Sequence, residues 1–310
     1  MYTIVEITGD FDRDGAFYAS PWYVYRVPDK KLTRLLDGEY AVHIYDGAGK
    51  RLSVTHFDVK DNYRSFGGDP SETEADRKIP IQLFVRFDPQ AAKIVILRGN
   101  EEIYTRNVSK KPPEARFTGL RENQTISGKT TITWEASGSG KLVYRLWYCR
   151  NDTESYILAY DIEEKSFKTD LTDYPGTDRG FFRLYATDGV STAEAISPLI
   201  NKQYKAPEII TSQKEIPSVK ATEGISLYTR IFDAQDGQMT GDNVRWTLDG
   251  KEVATTNVLR TQPNQFTPGP YTFICTATNS AGLSTQKAFT FRVFGTWPPL
   301  SPPPAVNKKN

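Results

Sequence analysis

The feature that most constrains this chain is the rhythm of its apolar residues. Short runs rich in Val, Ile, Tyr, Phe and Thr alternate apolar and polar positions, and Gly, Asp, Asn or Pro interrupt them at the spacing expected of sandwiches and barrels. No stretch of helical length sustains a 3.6-residue apolar period. A period of two sends successive side chains to opposite faces of an extended strand. The pattern therefore predicts an all-β chain of tandem antiparallel sandwiches. Composition agrees where it bears on this: aromatic residues make up 12% of the chain and there are only 2 Met. Such side chains suit thin sheet layers better than one large helical core.

Charge and motifs exclude several function classes. Lys+Arg number 39 against 38 Asp+Glu, a formal net charge of +1, without the basic excess of a nucleic-acid binder. No run approaches the roughly 18 uncharged apolar residues of a membrane span. The start, MYTIVEITGDF, has neither a basic nor an apolar leader region. Because strand-like sequence begins at Tyr2, the expectation is a piece of a longer exported protein, with a cytosolic chain as the other reading. Neither a GxSxG elbow nor an HExxH helix is present. His43 and His56, the two histidines, read as ordinary strand residues. The SGSGK stretch at 137–141 reads as a flexible turn between strands, not a phosphate loop. Cys149 and Cys275 fall in different modules, so a mutual disulfide is not expected. The chain is read as non-catalytic.

Punctuation divides the chain into 1–111, 112–206, 207–294 and a Pro-rich tail, 295–310. The KKPPE run at 110–114 reads as a stiff linker, and the polar stretch from Lys60 to Lys78 as a long loop. In KLVYRLWYCR both faces carry apolar groups: Leu142, Tyr144, Leu146 and Tyr148 alternate with Val143, Arg145, Trp147 and Cys149. That is the mark of a central strand.

Some stretches resemble known modules. GPYTFICTATNSAG (269–282) and VRWTLDGKEV (244–253), with FDAQDGQMTGDN upstream, resemble the F strand, C strand and D-x-x-D-G stretch of polycystic-kidney-disease (PKD)-like and immunoglobulin-like domains. The resemblance makes Trp246 the core anchor and Asp249-Gly250 a tight hairpin turn. It also leaves Cys275 as a buried thiol, since GISLYTR offers no strand B cysteine. The middle segment, with Trp134 in TITWEAS and FFRLYATDGVSTAEAISP, resembles fibronectin type III. The order of the three segments resembles a C-terminal β-sandwich array of secreted bacterial proteins, often found behind a peptidase domain. That resemblance implies an exported accessory region.

Three groups of residues stand out as candidate sites. Asp10, Asp12 and Asp14, followed by Gly15, mimic the first half of a calcium loop, though Pro21 stands where the bidentate Glu belongs. Asp233, Asp236 and Asp242 form a second acidic group, open to calcium binding or to turn capping. Trp22, Tyr23 and Tyr25 form an aromatic group open to stacking on a glycan or to core packing. Calcium is the one cofactor these residues leave open.

The functional expectation is a structural, spacer or adhesion region, secreted or at a cell surface. Its partner would be a protein or carbohydrate ligand, and the chain a monomer. The alternative is a carbohydrate-binding accessory of a secreted hydrolase.

Overall fold

The computed structural model describes residues 2–27, 32–33, 37–59, 78–211 and 218–295. The expected loop at 60–77 and the Pro-rich tail with Trp297 lie outside these residues. Among the described residues, no helix is long and apolar enough to cross a membrane. The chain forms two compact units, residues 1–170 with 178–201, and residues 171–177 with 202–310.

The first unit holds two sandwiches. The first contains β1 (Tyr2–Phe11), β2 (Phe17–Ala19), β3 (Tyr23–Val27), β4 (Tyr40–Asp46), β5 (Arg51–Phe57), β6 (Ile79–Arg86), β7 (Ala91–Arg98) and β8 (Glu101–Asn107). In one sheet β1 pairs with β2, β3 and β6, and the other runs β5-β4-β7-β8. The DGAGK turn, with its Asp and two Gly, joins β4 to β5. Between the sheets pack Val5, Ile7, Phe11, Trp22, Val42, Ile44, Ile94 and Ile96. Val190 of the second sandwich belongs to this same core.

The second sandwich follows with β9 (Glu114–Thr118), β10 (Gln124–Ile126), β11 (Lys129–Ser137), β12 (Val143–Cys149), β13 (Ser155–Ile162), β14 (Ser166–Asp170), β15 (Thr177–Thr187), β16 (Thr192–Ile196) and β17 (Ile200–Lys202). A three-stranded sheet β14-β11-β9 faces a sheet in which β12 lies between β13 and β15, and β15 also pairs with β16. This is the two-sheet layout of immunoglobulin- and fibronectin-type modules. Trp134 packs edge-on against Tyr144 and Tyr148 against Phe182 in the interior. β12 is central, as its two apolar faces imply.

The second unit is a third sandwich. It contains β18 (Glu208–Ile210), β19 (Val219–Lys220), β20 (Ser226–Tyr228), β21 (Arg230–Asp233), β22 (Gly237–Gln238), β23 (Val244–Leu248), β24 (Lys251–Ala254), β25 (Val258–Arg260), β26 (Gly269–Thr278) and β27 (Ser284–Phe294). The larger sheet runs β19-β27-β26-β23-β24, with β19 parallel to β27, and opposite it lie β18-β21-β22 and β20-β25. Trp246 is fully buried and its indole N–H donates to the Thr256 carbonyl. Asp249 and Gly250 both have positive φ, 49° and 77°, as a two-residue hairpin of the primed type requires. Cys149 and Cys275 are both buried and free, and burial pushes each thiol up to about 11.

Candidate functional site

The most unusual chemistry lies where the first two sandwiches meet. The outer face of β12 carries Val143, Arg145, Trp147 and Cys149. The Arg145 side chain is only 5% exposed. Its Nη1 donates to Glu6 Oε2 of β1 at 2.6 Å, and its Nε donates to Asp161 Oδ1 at 2.9 Å. The guanidinium lies 3.8 Å from the Tyr23 ring centroid and 3.9 Å from that of Tyr160. A cation held between two ring faces is attracted by both quadrupoles. The cluster therefore joins β1 and β3 of one sandwich to β12 and β13 of the next.

Local backbone geometry supplies the second carboxylate. Tyr144 faces Ile162 and Leu146 faces Ala159, so Tyr160 and Asp161 together oppose the single residue Arg145. That is a β-bulge, and Asp161 takes a φ of 53° in it. The surplus residue lets β13 bring both a ring and a carboxylate to the same guanidinium.

Both carboxylates of the cluster have further partners, while Arg145 Nη2 is buried without a hydrogen bond. Tyr25 donates its hydroxyl to Glu6 Oε2 at 2.7 Å, Gln82 Nε2 donates to Glu6 Oε1 at 2.6 Å, and Tyr23 donates to Asp161 Oδ1 at 2.7 Å. Burial works against the charge on Arg145, but Glu6 and Asp161 outweigh it and hold the guanidinium above its ordinary value. Burial, reinforced by the facing carboxylates, pushes the Tyr23 and Tyr25 hydroxyls far up, so they stay protonated donors. Burying Arg145 and Glu6, with Asp161 partly covered beside them, carries a desolvation penalty that only good geometry offsets. Such a cluster is better suited to fixing one arrangement of two bodies than to adding net stability.

A second set of bonds surrounds it. Thr187 Oγ1 donates to the Trp22 carbonyl at 2.7 Å, Trp22 N–H donates to the Gly189 carbonyl at 3.0 Å, and Val24 N–H donates to Thr192 Oγ1 at 2.8 Å. Arg106 stacks 4.4 Å from the Trp22 ring centroid and donates through Nη1 to the carbonyls of Ser20 and Gly189. The β15–β16 turn of the second sandwich is thus bonded along the edge of β3. Beside it opens a cleft of about 790 Å³ whose lining includes Thr3, Val24, Phe87, Lys110 and Ser191.

These positions revise the aromatic expectation. Trp22 is 0% exposed and Tyr23 1%, and their ring faces are taken by Arg106 and Arg145. Tyr25 is half-buried against Tyr185. The structure buries the group instead of presenting a sugar-stacking platform. Alternation assigns only one side of β3 to a core, whereas here the second sandwich covers the other.

The acidic groups also have internal partners. Asp12 Oδ1 accepts the N–H groups of Asp14 and Ala16, and its Oδ2 accepts the Tyr18 hydroxyl. The Ala16 N–H is the largest influence holding this carboxyl below its usual value. Asp10 lies within β1, opposite Tyr18 and Pro80, and Asp14 is exposed in the turn. Asp233 accepts from Gln235 N, Asp236 N and Asn279 Nδ2, and Asp236 accepts from the N–H and hydroxyl of Ser280. Asp242 sits in a short 3-10 turn, Gly241–Asn243. Among the described residues, no three or more His, Cys, Asp or Glu converge as a metal ion would need. Asp12 and Asp233 cap their own turns, and Asp236 holds the Ser280 turn.

Glu6, Arg145 and Asp161 did not stand out in the sequence. The available signal was an Arg in the middle of a strand with apolar residues on both faces, which implies a buried cation and hence a partner.

No protein-family model matches the chain, and no curated protein matches it. Solved structures similar to it include the titin A168–A169 segment, at 13% identity over 60% of this chain and 100% of that one, with a TM-score of 0.33. The fibronectin(III)-like modules of Clostridium thermocellum CbhA are 13% identical over 58% of this chain and 94% of theirs, with a TM-score of 0.24. The native E. coli alpha-2-macroglobulin is 9% identical over 96% of this chain and 20% of its own length, with a TM-score of 0.24. The chain is an array of immunoglobulin- and fibronectin-like sandwiches, a statement that rests on the strand order above.

Proposed function

We propose that this chain is a non-catalytic structural region of an exported bacterial protein, a stiff spacer that holds neighbouring domains at a fixed separation. The observation that supports this reading is the Glu6–Arg145–Asp161 cluster. It makes the first two sandwiches one body instead of two beads on a flexible tether. A spacer works by limiting the angles available between its parts, and a buried charge cluster tolerates little rotation before its hydrogen bonds break. The connection from Asn107 to Glu114 adds to this, since its two prolines fix φ and Pro113 is buried.

The test is a distance distribution across the junction. Spin labels go at Val54→Cys on β5 and Lys168→Cys on β14 of the full chain, where the buried native thiols do not compete for label. Pulsed electron resonance is expected to give one narrow distance in the parent and a broad one after Arg145→Ala. A broad distribution in the parent would sink the spacer reading. Glu6→Gln, which preserves side-chain shape, serves as the milder variant if Arg145→Ala fails to fold.

A further inference from the structure

We infer that the outer face of the third sandwich, on β18 and β21, docks a second copy of this chain. Along β20 and β21 the residues Leu227, Thr229, Ile231 and Asp233 point inward and are buried. The alternate residues point outward: Tyr228 is 50% exposed, Phe232 45%, and Arg230 between them is exposed too. Register places Ile210, 45% exposed, directly beside Arg230, and Glu208 directly beside Phe232. Single exposed apolar residues are normal on a monomer, but a contiguous set on one sheet face marks a contact surface.

The charges say what kind of partner fits. Glu208 and Arg230 lie on neighbouring strands in successive outward-facing rows, with the inward Ile209–Ile231 row between them, and neither forms an ion pair among the described residues. A two-fold axis lying in the face along the Ile210–Phe232 diagonal sets Glu208 of one copy over Arg230 of the other, and repeats the pair on the opposite side. Phe232 and Ile210 then close against their counterparts between the two ion pairs. A face that carries both halves of its own charge pair around an apolar centre is self-complementary, as a closed two-fold contact demands. An acidic or a basic partner would satisfy only one of the two charges. The face is small, below the roughly 1,200 Å² of total buried area at which stable interfaces begin, so the dimer is weak and salt-sensitive. This departs from the monomer expected from the sequence, and it does not depend on the spacer reading.

Sedimentation velocity of the full chain, from micromolar to submillimolar concentration, tests the inference. The expected result is a reversible dimer that weakens as salt rises. Arg230→Glu is expected to raise the dissociation constant about tenfold or more, because it sets like charges together. Glu208→Arg should do the same, and combining the two substitutions should restore the dimer. Both substitutions are at exposed positions, and near-ultraviolet circular dichroism checks that each of the three variants keeps its fold. A chain that stays monomeric at the highest concentration overturns the inference. So does a dimer indifferent to Arg230→Glu, or a combined variant that fails to recover.

Discussion

Two regions of this molecule begin from the same local recipe and end differently. On the outer face of β12 and β13, Arg145 sits among Tyr160, Tyr23 and Tyr185; on the outer face of β20 and β21, Arg230 sits between Tyr228 and Phe232. The first arginine is buried and bonded to two carboxylates through Nη1 and Nε, and the second is exposed. Strand chemistry does not separate them, since both present a cation flanked by rings. What differs is the supply of carboxylates. β1 brings Glu6 from a neighbouring sandwich, and a bulge brings Asp161 from the adjacent strand. Arginine and aromatic residues on a sheet face thus make a surface sticky, and a carboxylate on a second body decides whether it closes.

The largest expected effect comes from breaking the closed face. Arg145→Ala leaves Glu6 buried and Asp161 partly covered without their cation, at a cost of about 3–5 kcal/mol. Each unit carries one protected thiol, so pulsed alkylation with mass spectrometry reads them separately. Cys149 labelling should rise by about a hundredfold to a few thousandfold in this variant through opening of the first unit, while Cys275 labelling stays unchanged. Equal acceleration at both thiols would mean that the cluster does not act locally.

Glu6→Gln keeps the shape and removes one charge. Urea unfolding should show a loss of about 1–3 kcal/mol, the scale for hydrogen bonds to charged groups. Gly189→Ala attacks the surrounding bonds: φ there is +114°, a region costly for a residue with a Cβ, and the Gly189 carbonyl accepts from both Trp22 and Arg106. A loss of about 1–2 kcal/mol is expected in the same assay. Arg230→Ala on the open face, measured in dilute solution, should change stability by no more than about 0.5 kcal/mol. A loss at Arg230 comparable to that at Arg145 would erase the distinction between the two faces.

The strand architecture was legible because period-two alternation and turn chemistry are local. Trp246 in the core, the Asp249-Gly250 hairpin, the central place of β12 and the unpaired cysteines could all be read from a few neighbouring residues. The junction could not. Glu6 and Arg145 are 139 residues apart in sequence, and nothing near Glu6 distinguishes it from other strand carboxylates. The bulge at Asp161 has no marker either, since SYILAYDI reads as an ordinary alternating strand. For the same reason one set of the Trp22, Tyr23 and Tyr25 group was left open to glycan stacking in the sequence: alternation reports which side of a strand faces its own partner sheet and is silent about a neighbour that covers the other side. Asp12, Asp233 and Asp236 suggested a cation because spacing alone does not distinguish a ligand set from carboxylates that cap nearby turns.

One hydrogen bond across the junction depends on the length of an edge strand. Removing one residue of the Tyr160–Asp161 pair would take away the bulge that faces Arg145, while the second irregularity of the ladder, between Leu146 and Trp147, would remain. The Asp161 carboxylate would be withdrawn, and with it the acceptor for the Tyr23 hydroxyl of the first sandwich. The Glu6–Arg145 pair, the bonds of Trp22, Val24 and Arg106, and the shared core would still tie the two sandwiches together. A change of one codon would thus slacken the junction by one contact, at a position where neither hydrophobic content nor net fold would register it.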